Sequence, residues 1–429
     1  MTIAPLRIAI AGLGTVGTGV VRMVRTHGDL MAARAGRGIE IVAISARSRG
    51  KDRGIDLSDI AWEDDPVALA RRGDVDLVVE VMGGEDGPAK VLAETALASG
   101  KHVVTANKAM LARHGQALAE LAEANGAALR YEAAVAGGIP IMKALTEGLA
   151  GNGIERVMGV MNGTCNYILT QMERTGASYE DVLASAQQLG YAEADPAFDV
   201  GGIDAAHKLA LLAATAFGTR VDFEGVTVEG IERVSLTDIT QARELGYRVK
   251  LLGVARRTPD GLEQRMQPVL VPAHSSIGQL DGVTNLVVVE GDFVGRTVFT
   301  GPGAGEGPTA SAIMGDVLDI ARGLRVPAFG QPAASLQAAN RAMQAGPASH
   351  YLRLTLNDAP GTLARVAQAL ADQGISIDRL RQNDEDETGV PVLIVTHECR
   401  RADLDRALDA IAASDTCLAP PVALRIEQV

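Results

Sequence analysis

Length, composition and charge exclude several classes of protein. The chain has 429 residues, 47% of them apolar and 22% charged, which predicts two or three globular domains and excludes a single small module, a disordered chain and a fibrous repeat. The 53 acidic and 40 basic residues give a formal net charge of -13, and so acidic a surface disfavours nucleic acid or an anionic membrane as the main partner.

The cysteines and the N-terminus favour a cytoplasmic protein. Cys165, Cys399 and Cys417 are odd in number and lack C-x-x-C spacing, which favours a reducing compartment and gives neither a disulfide framework nor a zinc site. The chain starts without a signal-peptide pattern, and no uncharged run reaches the ~20 residues of a membrane span. A cytoplasmic enzyme or sensor is therefore expected.

The first 140 residues alternate short apolar runs with alanine-rich helical stretches. Strands are predicted at 6–11, 39–44, 76–81, 102–105 and 128–131, and helices at 15–26, 89–99 and 115–125. The strands are too uniformly apolar to have a wet face, which indicates a doubly wound parallel sheet of the Rossmann type. Pro140 suits a first helical turn, so a further helix is predicted at 141–150.

The pattern then changes to longer, mixed elements, which we assign to a second, α+β domain over 141–302. Strands are predicted at 156–161, 249–256, 267–271, 286–291 and 297–300, and helices at 166–174, 179–189 and 203–217. This order suggests an open mixed sheet covered by helices. A helix at 309–322, with a small-residue face, is expected to pack back on the first domain, so that about 303–325 completes domain 1–140.

The last part of the chain predicts a small separate module. Residues 326–347 are rich in Pro, Ala and Gln and are predicted to be a linker. In 348–429 the elements at 351–356, 361–373, 376–381, 390–396, 401–413 and 422–426 follow the order β, α, β, β, α, β. That order is the ferredoxin-like one. A turn at 358–361 precedes its first helix, and 384–389 is predicted to be a charged hairpin loop.

A glycine fingerprint between the first strand and helix predicts a dinucleotide site. Gly12-Leu13-Gly14-Thr15-Val16-Gly17 matches G-x-G-x-x-G, in which the glycines allow a tight turn, a close approach to a pyrophosphate and close helix packing. A purely structural glycine turn is the alternative, which the position at the first strand of an alternating α/β region makes the weaker reading.

Basic residues near the ends of two later strands are candidate ligand contacts. Arg47 follows the second strand where NAD-specific folds place an acid, so NADP(H) is the preferred cofactor and NAD(H) a possible one, although a solvated basic loop would look the same. Lys108 follows the fourth predicted strand, where open α/β sheets bind ligands, although lysines there are usually just solvated.

The stretch 190–208 concentrates charged residues in a loop and a helix start. Asp204 and Lys208 lie at i, i+4 on one helical face, so a carboxylate and a proton-donating ammonium could line a cleft together with Glu193. The alternative is a helix start enriched in acids for dipole reasons. His207 points elsewhere and is expected to be structural.

At these residues the chain resembles homoserine dehydrogenases, the family that interconverts aspartate 4-semialdehyde and homoserine. The resemblance covers essentially the whole chain and rests on 12–17, 80–84, 105–108, 132–140, 161–164, 190–208 and 303–305. From about residue 348 the tail is similar to an ACT domain, a small amino-acid-sensing module, through Asn357-Asp358-Ala359-Pro360-Gly361-Thr362-Leu363.

The resemblance implies roles for particular residues. The implied catalytic residues are Lys208 as proton donor and Lys108 beside the cofactor and carbonyl. The implied substrate contacts are Glu193, Asp204, Asp199, Asn162, Gly163 and Thr164. The implied cofactor contacts are Gly12, Leu13, Gly14, Thr15, Val16, Gly17, Arg47, Gly83, Gly84, Thr105, Lys108, Gly190 and Gly305. The implied sodium ligands are Glu132, Val135, Gly137 and Ile139, and the implied effector contacts are Asn357, Asp358, Pro360 and Gly361.

The resemblance also implies biological context. The reaction belongs to threonine, methionine and isoleucine biosynthesis, and an amino acid such as threonine is the expected effector. Since ACT modules commonly bind ligands between paired copies, a homodimer or homotetramer is expected, with the second domain taking part in dimerisation.

Two rival functions remain at this point. A phosphorylating aldehyde dehydrogenase would need a nucleophilic cysteine with a nearby base, and Cys165 is the only candidate in the catalytic region. A non-catalytic sensor with a vestigial nucleotide fold is disfavoured by the pair Lys108 and Lys208.

Overall fold

The computed structural model describes residues 3–192, 195–342, 345–382 and 389–429. Its N-terminal region is a parallel sheet flanked by helices. Its strands are β1 (Leu6–Ala11), β2 (Ile39–Ser45), β3 (Ala61–Trp62), β4 (Leu77–Glu80), β5 (His102–Thr105) and β6 (Leu129–Arg130). Its helices are α1 (Thr15–Ala35), α2 (Pro66–Arg71), α3 (Pro88–Ala98), α4 (Lys108–Ala124) and the single turn α5 (Ile141–Lys143). The order β3-β2-β1-β4-β5-β6 is that of the Rossmann fold, which confirms the predicted class.

Three helices differ from their predicted bounds. The first helix, α1, continues past residue 26 through an irregular His27 (φ −123°) to a left-handed Gly36. Helix α4 begins early because the side chain of Asn107 caps it by accepting the N–H of Met110. The helix predicted at 141–150 is wrong as one element, since α5 gives way to a π-helical turn at Ala144–Gly148.

The middle of the chain forms most of a second, mixed sheet. Its strands are β7 (Ile154–Val160), β8 (Thr227–Val228), β9 (Tyr247–Thr258), β10 (Gly261–Pro272), β11 (Thr284–Gly291) and β12 (Gly295–Pro302). Its helices are α6 (Gly163–Thr175), α7 (Tyr179–Gln188), α8 (Ala197–Val200), α9 (Ile203–Phe217) and α10 (Leu236–Glu244). Helix α9 is almost entirely apolar and packs on β7, β9 and β10, so its few polar residues project from a rigid base.

Helix α11 (Glu306–Ala321) returns to the first sheet. Its buried Ile313, Met314 and Val317 share a hydrophobic cluster with Val20 and Val21 of α1. A side chain at Gly19 would lie 2.7 Å from the Glu306 side chain, so this close packing requires glycine. The two segments that lead into and out of the second domain therefore meet beside the first.

The tail has the predicted βαββαβ order. Its elements are β13 (His350–Leu356), α12 (Thr362–Asp372), β14 (Ile377–Gln382), β15 (Val390–Thr396), α13 (Arg401–Ala412) and β16 (Val422–Ile426). Of the predicted hairpin loop at 384–389, all but Gly389 lies outside the described residues. None of the described helices is both long enough and apolar enough to cross a lipid bilayer.

The tail is joined to the middle domain by a continuous sheet. Strand β16 pairs in parallel with β10, Val269 opposite Arg425 and Leu270 opposite Ile426, so the order is β12-β11-β7-β9-β10-β16-β13-β15-β14. The predicted linker segment also lies against the second domain, since Gln337 bridges to Thr219. The tail is thus part of the same sheet as the second domain.

Buried charges cross this junction. Glu427 accepts hydrogen bonds from Arg265 at 2.5 Å and Arg425 at 3.0 Å, and Arg265 also donates to Glu263 at 2.8 Å. All four side chains are at most 5% exposed. Arg156 of β7 reaches the same group, 3.5 Å from Glu427. Each side contributes its own pair, Arg265 with Glu263 and Arg425 with Glu427, and the contact between Arg265 and Glu427 joins the two pairs into one buried network.

Candidate active site

A cavity of about 790 Å³ lies between the two sheets. The cavity is bordered by Val16 of the first, Rossmann-type domain, by Lys208 of the second domain and by Gly305 in the segment before α11. Val16 follows β1, and Ala106 and Lys108 follow β5, so the cavity lies beyond the carboxyl ends of parallel strands, where open α/β sheets bind ligands.

The glycine turn after β1 is shaped for a close approach. A Cβ at Gly12 (φ 104°) would lie 2.6 Å from the Val81 carbonyl oxygen, and one at Gly17 would lie 1.9 Å from that of Gly12. Gly14 instead faces open space, at the N-terminus of α1, where Thr15 and Val16 begin the helix. The turn therefore fits a dinucleotide pyrophosphate, which needs an open backbone and a helix start. Leu13 contributes a buried side chain to the core.

A buried carboxylate organises the neighbouring loop. Glu80, which is fully buried, accepts the Thr105 hydroxyl at 2.6 Å and the N–H groups of Met82 and Gly83 at 2.8 and 3.3 Å. Asn107 donates to the Gly84 carbonyl at 2.7 Å. The hydroxyl of Thr105, predicted to contact the cofactor, is thus used inside the protein, and Gly83 is held at the surface.

Roles for Glu80 and Asn107 were not predicted from the sequence. Their only signal is local, a carboxylate at the end of a strand and an asparagine just ahead of a helix, which is a preferred N-cap. Asn107 starts α4 immediately before Lys108. The network therefore sets the position of that lysine.

Two lysines meet one carboxylate at the base of the cavity. Lys108 lies 2.9 Å from Asp204 Oδ1, and Lys208 donates to Asp204 Oδ2 at 2.7 Å and to the Met161 carbonyl at 2.8 Å. Burial alone would raise the pKa of Asp204, but the two ammonium groups outweigh it and hold that pKa well below its usual range. An ammonium has three donors, so Lys208 keeps one for a ligand.

A second carboxylate lies beside this group. Asn162 donates to Asp199 at 2.9 Å and to Asp204 at 3.2 Å, and burial raises the pKa of Asp199. Gly163 borders the same cavity, as do Gly190 and Thr164, whose hydroxyl donates to the Tyr191 carbonyl at 2.6 Å. Glu193 lies outside the described residues. A polar ligand would thus meet two acids and two lysines.

Asn285, at the start of β11, was missed by sequence reasoning. It borders the cavity, is 1% exposed, and its Oδ1 has no hydrogen-bond partner among the residues that the structure describes. Its amide lies so close to Gly303 that a Cβ there would be 2.0 Å away. Nothing in the local pattern 284–291 distinguishes it from any strand asparagine.

The loop after β2 is arranged by a different arginine from the predicted one. Arg47 is exposed and makes no hydrogen bond or ion pair within the described ranges. Arg53 donates to the carbonyls of Leu13, Ser48 and Lys51 and lies 5.6 Å from the Trp62 ring centre. Arg47 is therefore free for a ligand while Arg53 shapes the loop around it.

The predicted cation segment is a tight, oxygen-rich loop. Glu132 accepts the N–H groups of Met142 and Lys143 at 2.9 and 2.8 Å, and burial, together with Asp316, raises its pKa to about 7. The Ile139 carbonyl accepts the N–H of Ile141 at 2.8 Å.

The turn between Val135 and Ile139 is strained and closely packed. Ala136 has a positive φ of 56°, and a Cβ at Gly137 would lie 2.4 Å from the Gly303 carbonyl oxygen. The donor set, one anionic carboxylate and backbone carbonyls, is of the kind a hard monovalent cation prefers. The described residues contain no cluster of three or more His, Cys, Asp or Glu side chains placed for a metal.

Cys165 and His207, which lie near the lysine–aspartate group in the sequence or the fold, have structural surroundings. Cys165 is fully buried, and burial raises the pKa of its thiol well above the usual value, which is the opposite of what a nucleophilic cysteine requires. His207 lies between the rings of Phe198 and Phe223, 5.7 and 4.2 Å away. Neither supports the cysteine-based alternative.

The predicted effector residues lie on the tail, outside this cavity. Asp358 and Pro360 are exposed in the turn before α12, and Gly361 (φ 88°) is its left-handed N-cap. Asn357 accepts the Thr362 hydroxyl at 2.7 Å and closes the turn.

Three family models match the chain. "Homoserine dehydrogenase, NAD binding domain" matches residues 12–132, "Homoserine dehydrogenase" matches 140–318, and "ACT domain" matches 350–415.

Relatives and solved structures agree with the family models. The homoserine dehydrogenase of Neisseria gonorrhoeae is 44% identical over 99% of both chains. A crystal structure of a homoserine dehydrogenase from Thiobacillus denitrificans superposes with a TM-score of 0.94 at 41% identity, covering 100% of both chains. A hyperthermophilic archaeal homoserine dehydrogenase in complex with NADPH has a TM-score of 0.64 at 26% identity, over 74% of this chain and 97% of that one. Lys108, Asp204 and Lys208 meet in the cavity beside the Rossmann sheet, and the family models and full-length relatives agree. The chain therefore belongs to the homoserine dehydrogenase family.

Proposed function

We propose that the chain interconverts L-aspartate 4-semialdehyde and L-homoserine with a nicotinamide cofactor. The observation that carries this proposal is the meeting of Lys108 and Lys208 on Asp204 in the cavity beside the glycine turn. In an assay of the full-length protein with homoserine and NADP, we expect absorbance from NADPH. No turnover with either NADP or NAD would overturn the proposal.

The protein's own part in the reaction is to hold and move a proton. When bound, the nicotinamide supplies or accepts a hydride at the substrate carbon. In the reducing direction, Lys208 gives a proton to the carbonyl oxygen, so that a hydroxyl forms and the neutral amine regains its proton from solvent. A cationic donor in a closed cleft stabilises charge that develops only in the transition state.

The remaining residues of the cavity would bind and orient substrate. Asp204 and Asp199 offer carboxylates to its ammonium, as Glu193 would, while Asn162, Gly163 and Thr164 form a wall. Asp204 also fixes both lysines, so their side chains are already ordered before substrate arrives. Such preorganisation lowers the entropy lost on reaching the reactive arrangement.

The preferred cofactor is proposed to be NADP(H), with NAD(H) accepted less well. Its pyrophosphate would lie over Gly14, and Arg47 would hold the 2′-phosphate. The support is that this arginine is exposed and has no partner in the described part of the chain. The archaeal relative of known structure binds NADPH.

Arg47→Ala should raise the KM for NADP(H) about tenfold and leave the KM for NAD(H) nearly unchanged. The lost contact is a charge-assisted one to a phosphate that NAD lacks. Steady-state kinetics with both cofactors measures it. Arg34→Ala, a change at an exposed arginine at the end of α1, is the control. An equal loss with both cofactors would contradict this assignment.

A sodium ion is proposed for the loop of Glu132, Val135, Gly137 and Ile139. The support is the buried carboxylate and the strained turn at Ala136. A cation there would hold this loop against Gly303. We expect sodium, in preference to lithium, to raise the melting temperature of the protein; identical melting in both salts would contradict the site.

The tail is proposed to bind an amino acid, with threonine as the expected effector, at the turn of Asn357, Asp358, Pro360 and Gly361, within a homodimer or homotetramer. The backbone N–H groups at the start of α12 could receive its carboxylate. A cytoplasmic location is also proposed, in keeping with three free cysteines.

L-threonine should lower the activity of the full-length enzyme and release or take up heat in calorimetry. Coupling of 1–3 kcal/mol would change apparent affinity roughly 5–150-fold. D-threonine is the matched control ligand, and Asp358→Ala should weaken the response without changing basal activity. If L-threonine neither inhibits nor binds, the sensing role is wrong; light scattering tests the assembly separately.

A further inference from the structure

A buried lysine that the proposed mechanism does not use holds one wall of the cavity. Lys250 of β9 is 1% exposed, and its Nζ donates to Asn166 Oδ1 at 2.9 Å and to the Leu280 carbonyl. No carboxylate accepts a hydrogen bond from it among the described residues. Its two partners are thus neutral oxygens, one on α6 and one on the connection 273–283 between β10 and β11.

Such a lysine is costly to bury. Burial, with Arg248 nearby, lowers the pKa of Lys250 to about 8, which shows how poorly the surroundings compensate an ammonium. The carboxylates of Asp281 and Glu173 are taken by Arg248, at 2.8 and 2.5 Å. A charge kept in an unfavourable place calls for a physical reason, and its hydrogen bonds point to one.

Asn166 extends the contact made by Lys250. Its Nδ2 donates to the carbonyls of Gly282 at 2.8 Å and Leu280 at 3.3 Å. Its own N–H bonds the Asn162 carbonyl, one turn back at the start of α6. Lys250 and Asn166 together therefore attach the connection 273–283 to the helix that carries the proposed substrate wall.

The attached connection is itself part of the cavity. Val283 and Thr284 border it beside Gly163 and Thr164, and a Cβ at Gly163 would lie 2.8 Å from the Val283 carbonyl oxygen. At this separation a shift of about 1 Å would change the shape offered to a small ligand, and misplacement on that scale is costly to an enzyme.

We infer that Lys250 is a positioning residue for the substrate: through Asn166 and the Leu280 carbonyl it fixes the distance between Val283 and Gly163, and so sets the affinity for homoserine rather than for the cofactor. The inference rests on the proposed function, since it takes 162–164 as the substrate wall. It adds a role for two residues that never touch the ligand.

Kinetics of two variants test the inference. Lys250→Met removes both donors and should raise the KM for homoserine about tenfold while the KM for NADP(H) changes less than about twofold. Asn166→Asp keeps an acceptor for Lys250 but can no longer donate to Leu280 and Gly282; it should give the same split in a protein that melts like wild type. Lys250→Arg should recover part of the loss.

The matched control is Lys101→Met. Lys101 also donates to a loop carbonyl, that of Arg72, but this contact lies in the first, Rossmann-type domain. Replacing Lys101 should therefore leave both KM values unchanged. If folded Asn166→Asp has the wild-type KM for homoserine, or if both KM values rise together, the positioning role is wrong. An inactive wild-type enzyme would instead overturn the proposed function, so the two failures are distinguishable.

Discussion

Replacing Lys208 by alanine is expected to lower kcat by roughly 30- to 1000-fold, a loss of about 2–4 kcal/mol of transition-state stabilisation. Lys208 has two of its donors fixed by Asp204 and Met161, and the remaining one is available for the substrate oxygen. Since that oxygen gains charge only as the hydride moves, the KM for the cofactor should change little.

Single-turnover and steady-state rates of the purified variant measure this loss. Lys90→Ala is the control, because Lys90 forms an i,i+4 ion pair with Glu94 at 3.2 Å on the surface of α3, outside the cavity. A Lys208→Ala enzyme that keeps more than half of the wild-type kcat would show that another group donates the proton.

Removing the charge of Glu427 should destabilise the protein by about 3 kcal/mol or more. Glutamine keeps the shape of the side chain, but Arg425, at most 5% exposed, then loses its only ion-pair partner among the described residues, while Arg265 keeps Glu263. Breaking a buried pair costs about 3–5 kcal/mol because a buried charge stays behind uncompensated.

Denaturant unfolding of Glu427→Gln measures the effect. Glu94→Gln removes an exposed pair and should cost no more than about 1 kcal/mol. A loss of under 1 kcal/mol for Glu427→Gln as well would mean that the junction relaxes around the arginines. A chain shortened to end near residue 345 would lose Glu427 and the whole of β16, so its activity would report the broken junction as well as the missing effector site.

The order of the longer elements could mostly be predicted because it depends on local patterns, whereas β3, α2, α8, β8 and α10 were not predicted. Uniformly apolar runs predicted the parallel strands, and the glycine turn after the first of them predicted the start of α1. Most of the predicted strand and helix bounds differ from the observed ones by a few residues. The π-helical turn after α5 could not be foreseen, since its apolar spacing is that of an ordinary helix.

The site was predictable where its residues are close in sequence. Asp204 and Lys208 lie one helical turn apart, and their pairing follows from helix geometry. The third member, Lys108, comes from another domain, and only the resemblance placed it there. Asn285 and Lys250 carry no local signal, because their importance comes from which loops happen to lie beside them.

The contacts between the tail and the second domain could not be predicted from the sequence, for the same reason. Arg265 and Glu427 are 162 residues apart in the chain, and each looks like an ordinary charged residue near the end of a strand. A predicted linker between them suggested two separate bodies. The pairing of β10 with β16 depends on tertiary contacts that no periodicity encodes.

That pairing also affects how the protein is made. Strand β10 has an outer edge that β16 covers at Val269 and Leu270, and β16 follows β10 in chain order, so it is synthesised later. Until then the edge offers unpaired backbone groups to any other strand, which is how edge-to-edge aggregation begins. We therefore expect chains that lack β16 to be bound by chaperones, and the pairing of β16 with β10 to be the step that protects this edge from self-association.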